Sequence, residues 1–391
     1  MRKVVEGSYA IAQAVKCCDP DIISAYPITP QTHIVENLSQ MVADGELKAE
    51  FITVDSEFSA LSALVGSSAM GARSYSSTTS QGLALMYEVL YNVSGLRMPI
   101  VMTVANRAMG APLNIWNDQQ DSIGARDCGW IQLYAENVQE AMDLTPQAYK
   151  LAEDLDILTP VMVCMDGFIL THVYEPVEFL DHDKVKQFLP PFKPKITLDP
   201  AHPVTIGAFA DPSTFTEYRY LQQDAQNKAL GKIDTIAKEF KETFGRYYGG
   251  LIDTYRMEGA DAAIVTLGSV IGTIKDALDE MWAEGKKVGL VKVRSYRPFP
   301  VKALRESLKD VSSIAVIEKD VSIGNEAGLT TDLKAAFYNT GMKTPIIGFT
   351  AGLGGRDITL KDIKKAGDKA LAAAKGPEAE FEFLTLRKEI L

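Results

Sequence analysis

Between residues 6 and 168, short apolar runs alternate with segments whose apolar positions recur every three or four residues. The runs "DIISAYP" (21–27), "AEFITVDS" (49–56), "RSYSSTT" (73–79), "PIVMTVANR" (99–107), "WIQLYA" (130–135) and "PVMVCMDGF" (160–168) read as strands. Helical spacing runs through "EGSYAIAQAVKCC" (6–18, with Ser8 near its cap), "QTHIVENLSQMVADG" (31–45), "EFSALSALVGSSAMG" (57–71), "GLALMYEVLYNVSG" (82–95) and "VQEAMDLTPQAYKLAEDLD" (138–156). "PIVMTVANR" is apolar at successive positions, as a strand covered on both faces requires. Strands that alternate with helices predict βαβ units and a parallel sheet.

The pattern changes from about 172 to 260, where a proline-rich extended stretch, "LPPFKPKITLDPAHP", precedes a polar amphipathic helix predicted over 224–256. Alternation then resumes from "DAAIVTLGS" to a closing helix, "TLKDIKKAGDKALAAAK", over 359–375. The chain therefore divides into an α/β domain (1–175), an extended and helical connector (176–258) that wraps a neighbour, and a smaller α/β domain (259–391).

Ligands of open parallel sheets bind outside the carboxyl ends of the strands. In the first domain those ends carry Thr29, Glu57, Gln81 and Arg107. Thr29 sits in "YPITP", where Pro30 disfavours the α conformation at the residue before it; a plain turn with Thr29 near a helix cap is the alternative. Glu57 opens a helix, so it serves either as a charge against the helix dipole or as a cleft carboxyl that shares a proton with a ring nitrogen. Arg107 ends an apolar strand and needs an acid, which is either a structural carboxylate or that of a substrate. Gly82 falls at a strand-to-helix turn whose N–H groups suit a ligand. The "GLGG" at 352–355 lacks the context of a dinucleotide loop.

A net charge of −11 argues against a nucleic-acid footprint, and no apolar run is long enough to cross a membrane. The N-terminus lacks the apolar core of a signal peptide, so cytoplasm is the default location. Cys17, Cys18, Cys128 and Cys164 match no metal or cluster spacing, so any iron–sulfur cluster belongs to another chain and no metal ligand is expected in this one.

Together, "SAYPITPQT", "VDSEFSALSALVGSSAMGARSYSSTTSQGLALMYEVL" and "ANRAMGAPLNIWNDQQDS" resemble the α subunit of the 2-oxoacid:ferredoxin oxidoreductases, above all that of the multi-subunit pyruvate:ferredoxin oxidoreductases (pyruvate synthase). The resemblance spans nearly the full chain, including "RPFP" at 297–300. It implies a thiamine-diphosphate-binding (pyrimidine) domain plus a transketolase C-terminal-like domain. By the same resemblance Thr29 and Arg107 hold the substrate carboxylate, and Glu57 shares a proton with N1′ of the aminopyrimidine. Pro27, Ile28, Gln81 and Gly82 line the cofactor. The loop "GAPLNIWND" departs from the commoner "SAPINIWND" at Gly110.

The "GDG…N" segment that thiamine enzymes use for the diphosphate and Mg²⁺ is absent from the sequence. The resemblance thus assigns that half of the cofactor to a β subunit, and [4Fe–4S] clusters to γ and ferredoxin-like δ subunits. Pyruvate would be decarboxylated, coenzyme A would take the acetyl group and ferredoxin would take the electrons. Three alternatives remain open: the same chemistry on branched or other 2-oxoacids, a non-redox thiamine-dependent transferase, and a scaffold that only docks a partner.

Overall fold

The computed structural model describes residues 2–374, 376 and 380–391. Lys375, the last residue of the closing helix expected from sequence, lies outside them, as does Met1. A seven-stranded sheet runs in the order Ser295–Arg297, Ile131–Tyr134, Val161–Asp166, Val101–Asn106, Ser74–Thr78, Ile22–Ser24, Glu50–Ile52. All its pairings are parallel except that of Ser295–Arg297 with Ile131–Tyr134. Val101–Asn106 and Val161–Asp166 lie side by side at its centre and are buried at every position, as their unbroken apolar runs require. A six-stranded sheet has the order Glu382–Phe383, Ile346–Thr350, Ile314–Glu318, Ala262–Thr266, Val288–Val293, Ile252–Tyr255, parallel apart from its last pair. The architecture is the α/β parallel-sheet form that the alternation predicts.

The chain crosses between the two sheets. The run beginning at Val288 leaves the second sheet after Val293 and contributes Ser295–Arg297 to the first. One apolar core is accordingly shared, with Leu61, Met102, Val104 and Tyr296 from one sheet's layer packed in a cluster with Val265, Val291 and Leu329 from the other's. Arg2–Glu6, not foreseen from the pattern, pairs antiparallel with Tyr174–Glu178.

The long helix runs Phe215–Phe244 and not over 224–256, because Gly245 takes φ 78° and ends it. The residues beyond form the edge strand Ile252–Tyr255. Ser8 lies near the cap, as the second residue of the helix Gly7–Cys17 after Glu6, and its hydroxyl donates to the Thr171 carbonyl at 2.9 Å.

Candidate active site

The strands Ile22–Ser24, Ser74–Thr78 and Val101–Asn106 are consecutive in the sheet, so the segments at their carboxyl ends converge. After the first comes the YPITP turn. Pro30 is buried and its ring lies 2.6 Å from where a Cβ on Gly167 would stand, so only glycine admits it there. Gln31, the residue before the helix Thr32–Ala43, clamps the turn: its Nε2 donates to the carbonyls of Tyr26 (3.0 Å) and Ser77 (2.8 Å), and its N–H to Ile28 O (2.9 Å). Thr29 is exposed, and its hydroxyl has no hydrogen-bond partner among the described residues.

Arg107 reaches this turn directly. Its Nη1 donates to Thr29 O at 2.7 Å and its Nε to Asn114 O at 3.1 Å, while Nη2 is unbonded within the described chain. The side chain is buried, yet no carboxylate among the described residues lies within 4.0 Å of the guanidinium. Burial lowers its pKa from the ordinary arginine value, with the charge of Asp121 opposing. The acid that an apolar strand end demands is Asp121, but it is reached through the backbone: Asp121 Oδ2 accepts the N–H of Arg107 (3.1 Å) and of Ser80 (2.9 Å), and Oδ1 accepts Asn106 Nδ2 (2.8 Å) and Ser122 N–H (2.8 Å). One buried carboxylate therefore sets both the Arg107 backbone and the start of the Gln81–Gly82 segment. It was missed in the sequence, although it stands in "NDQQDS" close to an arginine that required an acid.

Glu57 is the first residue of Glu57–Ala69, behind the cap in which Ser56 Oγ accepts Ser59 N–H at 3.2 Å. Its carboxylate is buried and has no hydrogen-bond or ion-pair partner among the described residues. Gly82 packs on it: a Cβ there would stand 2.7 Å from Glu57 Oε1 and 2.6 Å from Thr78 Oγ1. This corrects the turn role expected of Gly82, which sits inside the helix Ser80–Leu85 with its N–H bonded to Thr79 O at 2.9 Å. Its contribution is the missing side chain, not a free donor. Gln81 meets the loop after Arg107, since a Cβ on Gly110 would lie 2.7 Å from Gln81 Nε2. Glycine at that departure point leaves room for the amide. Pro27 and Ile28 are not joined to this set by any hydrogen bond from their side chains; Pro27 lines a cleft of about 450 Å³ with Val35, Phe51 and Thr53.

The second domain braces the same loop. A Cβ on Gly354 (φ 60°) would collide with Asn114 Nδ2, and one on Gly355 (φ 82°) would stand 2.5 Å from Trp116 Cβ. Asn114 Nδ2 donates to Gly354 O at 3.1 Å, and Gly355 N–H to Asn117 O at 2.6 Å. The "GLGG" is a close-packing surface for the loop that carries Asn114, hence for Arg107. Beneath it Asp118 accepts the N–H groups of Gln120 (3.1 Å) and Gly354 (3.2 Å), and burial, reinforced by the charge of Asp121, pushes its carboxyl up to about 7.

Against known proteins, residues 13–238 match the family model for pyruvate flavodoxin/ferredoxin oxidoreductase, thiamine-diphosphate-binding, and residues 260–363 that for pyruvate:ferredoxin oxidoreductase core domain II. The chain belongs to the pyruvate flavodoxin/ferredoxin oxidoreductase family. It is 55% identical to pyruvate synthase subunit PorA of Methanosarcina barkeri, over 99% of this chain and 97% of the relative. It is 43% identical to ketoisovalerate oxidoreductase subunit VorA of Pyrococcus horikoshii, over 99% of each. Among solved structures, it superposes on a 2-oxoglutarate:ferredoxin oxidoreductase from Magnetococcus marinus with TM-score 0.75 at 20% identity, spanning 95% of this chain and 65% of that one. A split-gene transketolase aligns with TM-score 0.55 at 14% identity, over 95% of this chain and all of the other. These two likenesses establish the fold, while the description of residues 13–238 as thiamine-diphosphate-binding comes from the family model.

Proposed function

We propose that this chain is the α subunit of a pyruvate:ferredoxin oxidoreductase, and that Glu57, Arg107 and Thr29 are its catalytic and substrate-binding residues. The observation that carries the residue assignment is the Arg107 guanidinium, buried, anchored by two carbonyls, and unmatched by any carboxylate of the described chain. A planar cation held in this way suits the bidentate grip of a 2-oxoacid carboxylate, and the Thr29 hydroxyl on the same turn suits its second oxygen. The site also fits the aminopyrimidine of thiamine diphosphate: the unpartnered Glu57 carboxylate faces a cradle that a side chain on residue 82 would fill. Glu57 there holds and moves a proton at N1′. When bound, the cofactor supplies the electron sink that makes loss of CO₂ feasible. The prolines and Gln31 keep Thr29 in place before substrate arrives, which limits the entropy lost on binding.

The diphosphate and Mg²⁺ would be held by a β subunit, since the sequence has no "GDG…N" segment. Clusters of the [4Fe–4S] type are assigned to γ and ferredoxin-like δ subunits, with coenzyme A as co-substrate, ferredoxin as acceptor and a cytoplasmic location. Burial supports the cluster assignment by pushing the Cys17 and Cys128 thiols up to about 11, and those of Cys18 and Cys164 further, away from the thiolate that a cluster binds. The test is viologen reduction by the assembled complex over a panel of 2-oxoacids with coenzyme A. Pyruvate should give the highest kcat/KM. A branched 2-oxoacid in first place would move the assignment to the ketoisovalerate enzymes, and no reduction at all would point to a transferase.

A further inference from the structure

Two of the chain's four histidines meet a glutamate where three sequence-distant segments come together. Glu6 ends the strand Arg2–Glu6, His33 lies in the first turn of Thr32–Ala43, and His172 precedes the strand Tyr174–Glu178. Each offers one ligand atom, and these atoms lie within 4.8 Å of one another. Glu6 Oε1 is 2.6 Å from His33 Nδ1, and the two imidazole rings are 4.8 Å apart at 35°. A Glu–His ion pair accounts for the first contact but not for a second imidazole laid against it. Thr171 Oγ1, which accepts Phe168 N–H at 2.8 Å, holds His172 Nδ1 at 2.7 Å and leaves Nε2 for a ligand. Fixing the outer nitrogen of a ligating histidine with an oxygen is the usual second layer of a metal site.

We propose that Glu6, His33 and His172 form a binding site for a divalent transition metal of the zinc class, with water completing the coordination. Two imidazoles and a carboxylate are the donor set that such ions take with an open fourth position. Ligand atoms around such a centre stand about 3.3 Å apart, from bonds of about 2.0–2.1 Å. The Glu6–His33 contact opens and the longest separation closes to reach this, and the His33 side chain, 43% exposed, has the freedom to move and provides the entry path. The ion would tie two supports of the YPITP turn together: His33 lies one turn past Pro30, and His172 stacks at 4.7 Å on Phe168, next to the Gly167 that receives the Pro30 ring. Its place is therefore structural, beside Thr29.

The test uses the full chain, stripped with a chelator, titrated with Zn²⁺ by calorimetry and with Co²⁺ as a spectroscopic probe. Expected are one Zn²⁺ per chain, a higher Tm on loading, and Co²⁺ ligand-field bands without a thiolate charge-transfer band. Glu6→Gln and His172→Asn should each weaken binding at least tenfold, while a Cys17→Ser, Cys18→Ser control leaves it unchanged. Glu6→Gln, at a strand end, reads the result even if the histidine variant folds poorly. Absence of saturable binding, a thiolate band, or undiminished affinity in Glu6→Gln would overturn the proposal.

Discussion

At the strand ends that face the proposed site, Arg107 and Glu57 are buried without an opposite charge within 4.0 Å among the described residues. At the seam between the two sheets buried charges are matched. Lys319 Nζ lies 2.8 Å from Asp166 Oδ2, which also takes the Ser269 hydroxyl at 2.5 Å, while Gln119 Nε2 donates to Oδ1 at 2.9 Å. Lys292 and Arg294 share Glu140 at 2.6 and 3.1 Å. Burial works against the ionised form of Asp166, but the Lys319 charge and the hydrogen bonds outweigh it and keep the carboxyl below its ordinary value. An unmatched buried charge costs several kcal/mol, so strand ends that leave such groups unpaired suit the proposed ligand, which would complete them. Matched pairs at a seam hold the domains in register.

The sharpest break in this contrast is Glu57→Gln. In the assembled complex kcat should fall by about two to four orders of magnitude, the usual worth of a positioned acid–base group, with Tm within a degree or two of the parent. A rate close to the parent's would remove Glu57 from the chemistry. Lys319→Met should do the opposite, destabilising the chain by about 3–5 kcal/mol because Asp166 is left buried and charged. Adding Asp166→Asn should recover much of that loss in denaturant melts, and no recovery would mean the pair is not what couples the sheets.

Arg107→Lys keeps the charge and loses the fork, so kcat/KM for pyruvate should drop by the equivalent of about 1.5–3 kcal/mol while Tm barely moves. A variant that melts several degrees lower with an unchanged KM would make Arg107 a structural cation. The smallest effect is expected at Asp118. Its folded pKa, about 7, lies above the ordinary 3.8, so the folded state binds the extra proton and stability falls as pH rises between those values. Asp118→Asn should raise Tm at pH 8, with the gain shrinking toward pH 5; a gain independent of pH would place the raised pKa elsewhere.

The positions of the candidate site were legible because strand ends are local events. An apolar run that stops at Arg107, a proline pair around Thr29 and a glutamate after "VDS" each announce a position, and the parallel order of the strands brings them together. The residues that hold them were not legible. Asp121 meets Ser80 across 41 positions, Gln31 meets Ser77 across 46, and Asn114 meets Gly354 across 240. Nothing in spacing or periodicity marks such partners.

Gly82 shows the same limit from the other side: its type was noticed, its reason was not. A turn and a close approach both call for glycine, and only the position of Glu57 decides between them. By itself, then, the chain's alternation of apolar and helical patterns determined the two parallel sheets and which side chains stand at their carboxyl ends, since these arise from interactions over a few residues. Tertiary structure decided that Ser295–Arg297 would cross to the first sheet, that Glu57 and Arg107 would be buried unmatched while Lys319 found Asp166, and that Glu6, His33 and His172 would meet. Those outcomes depend on which surfaces pack, and packing joins residues that the chain keeps far apart.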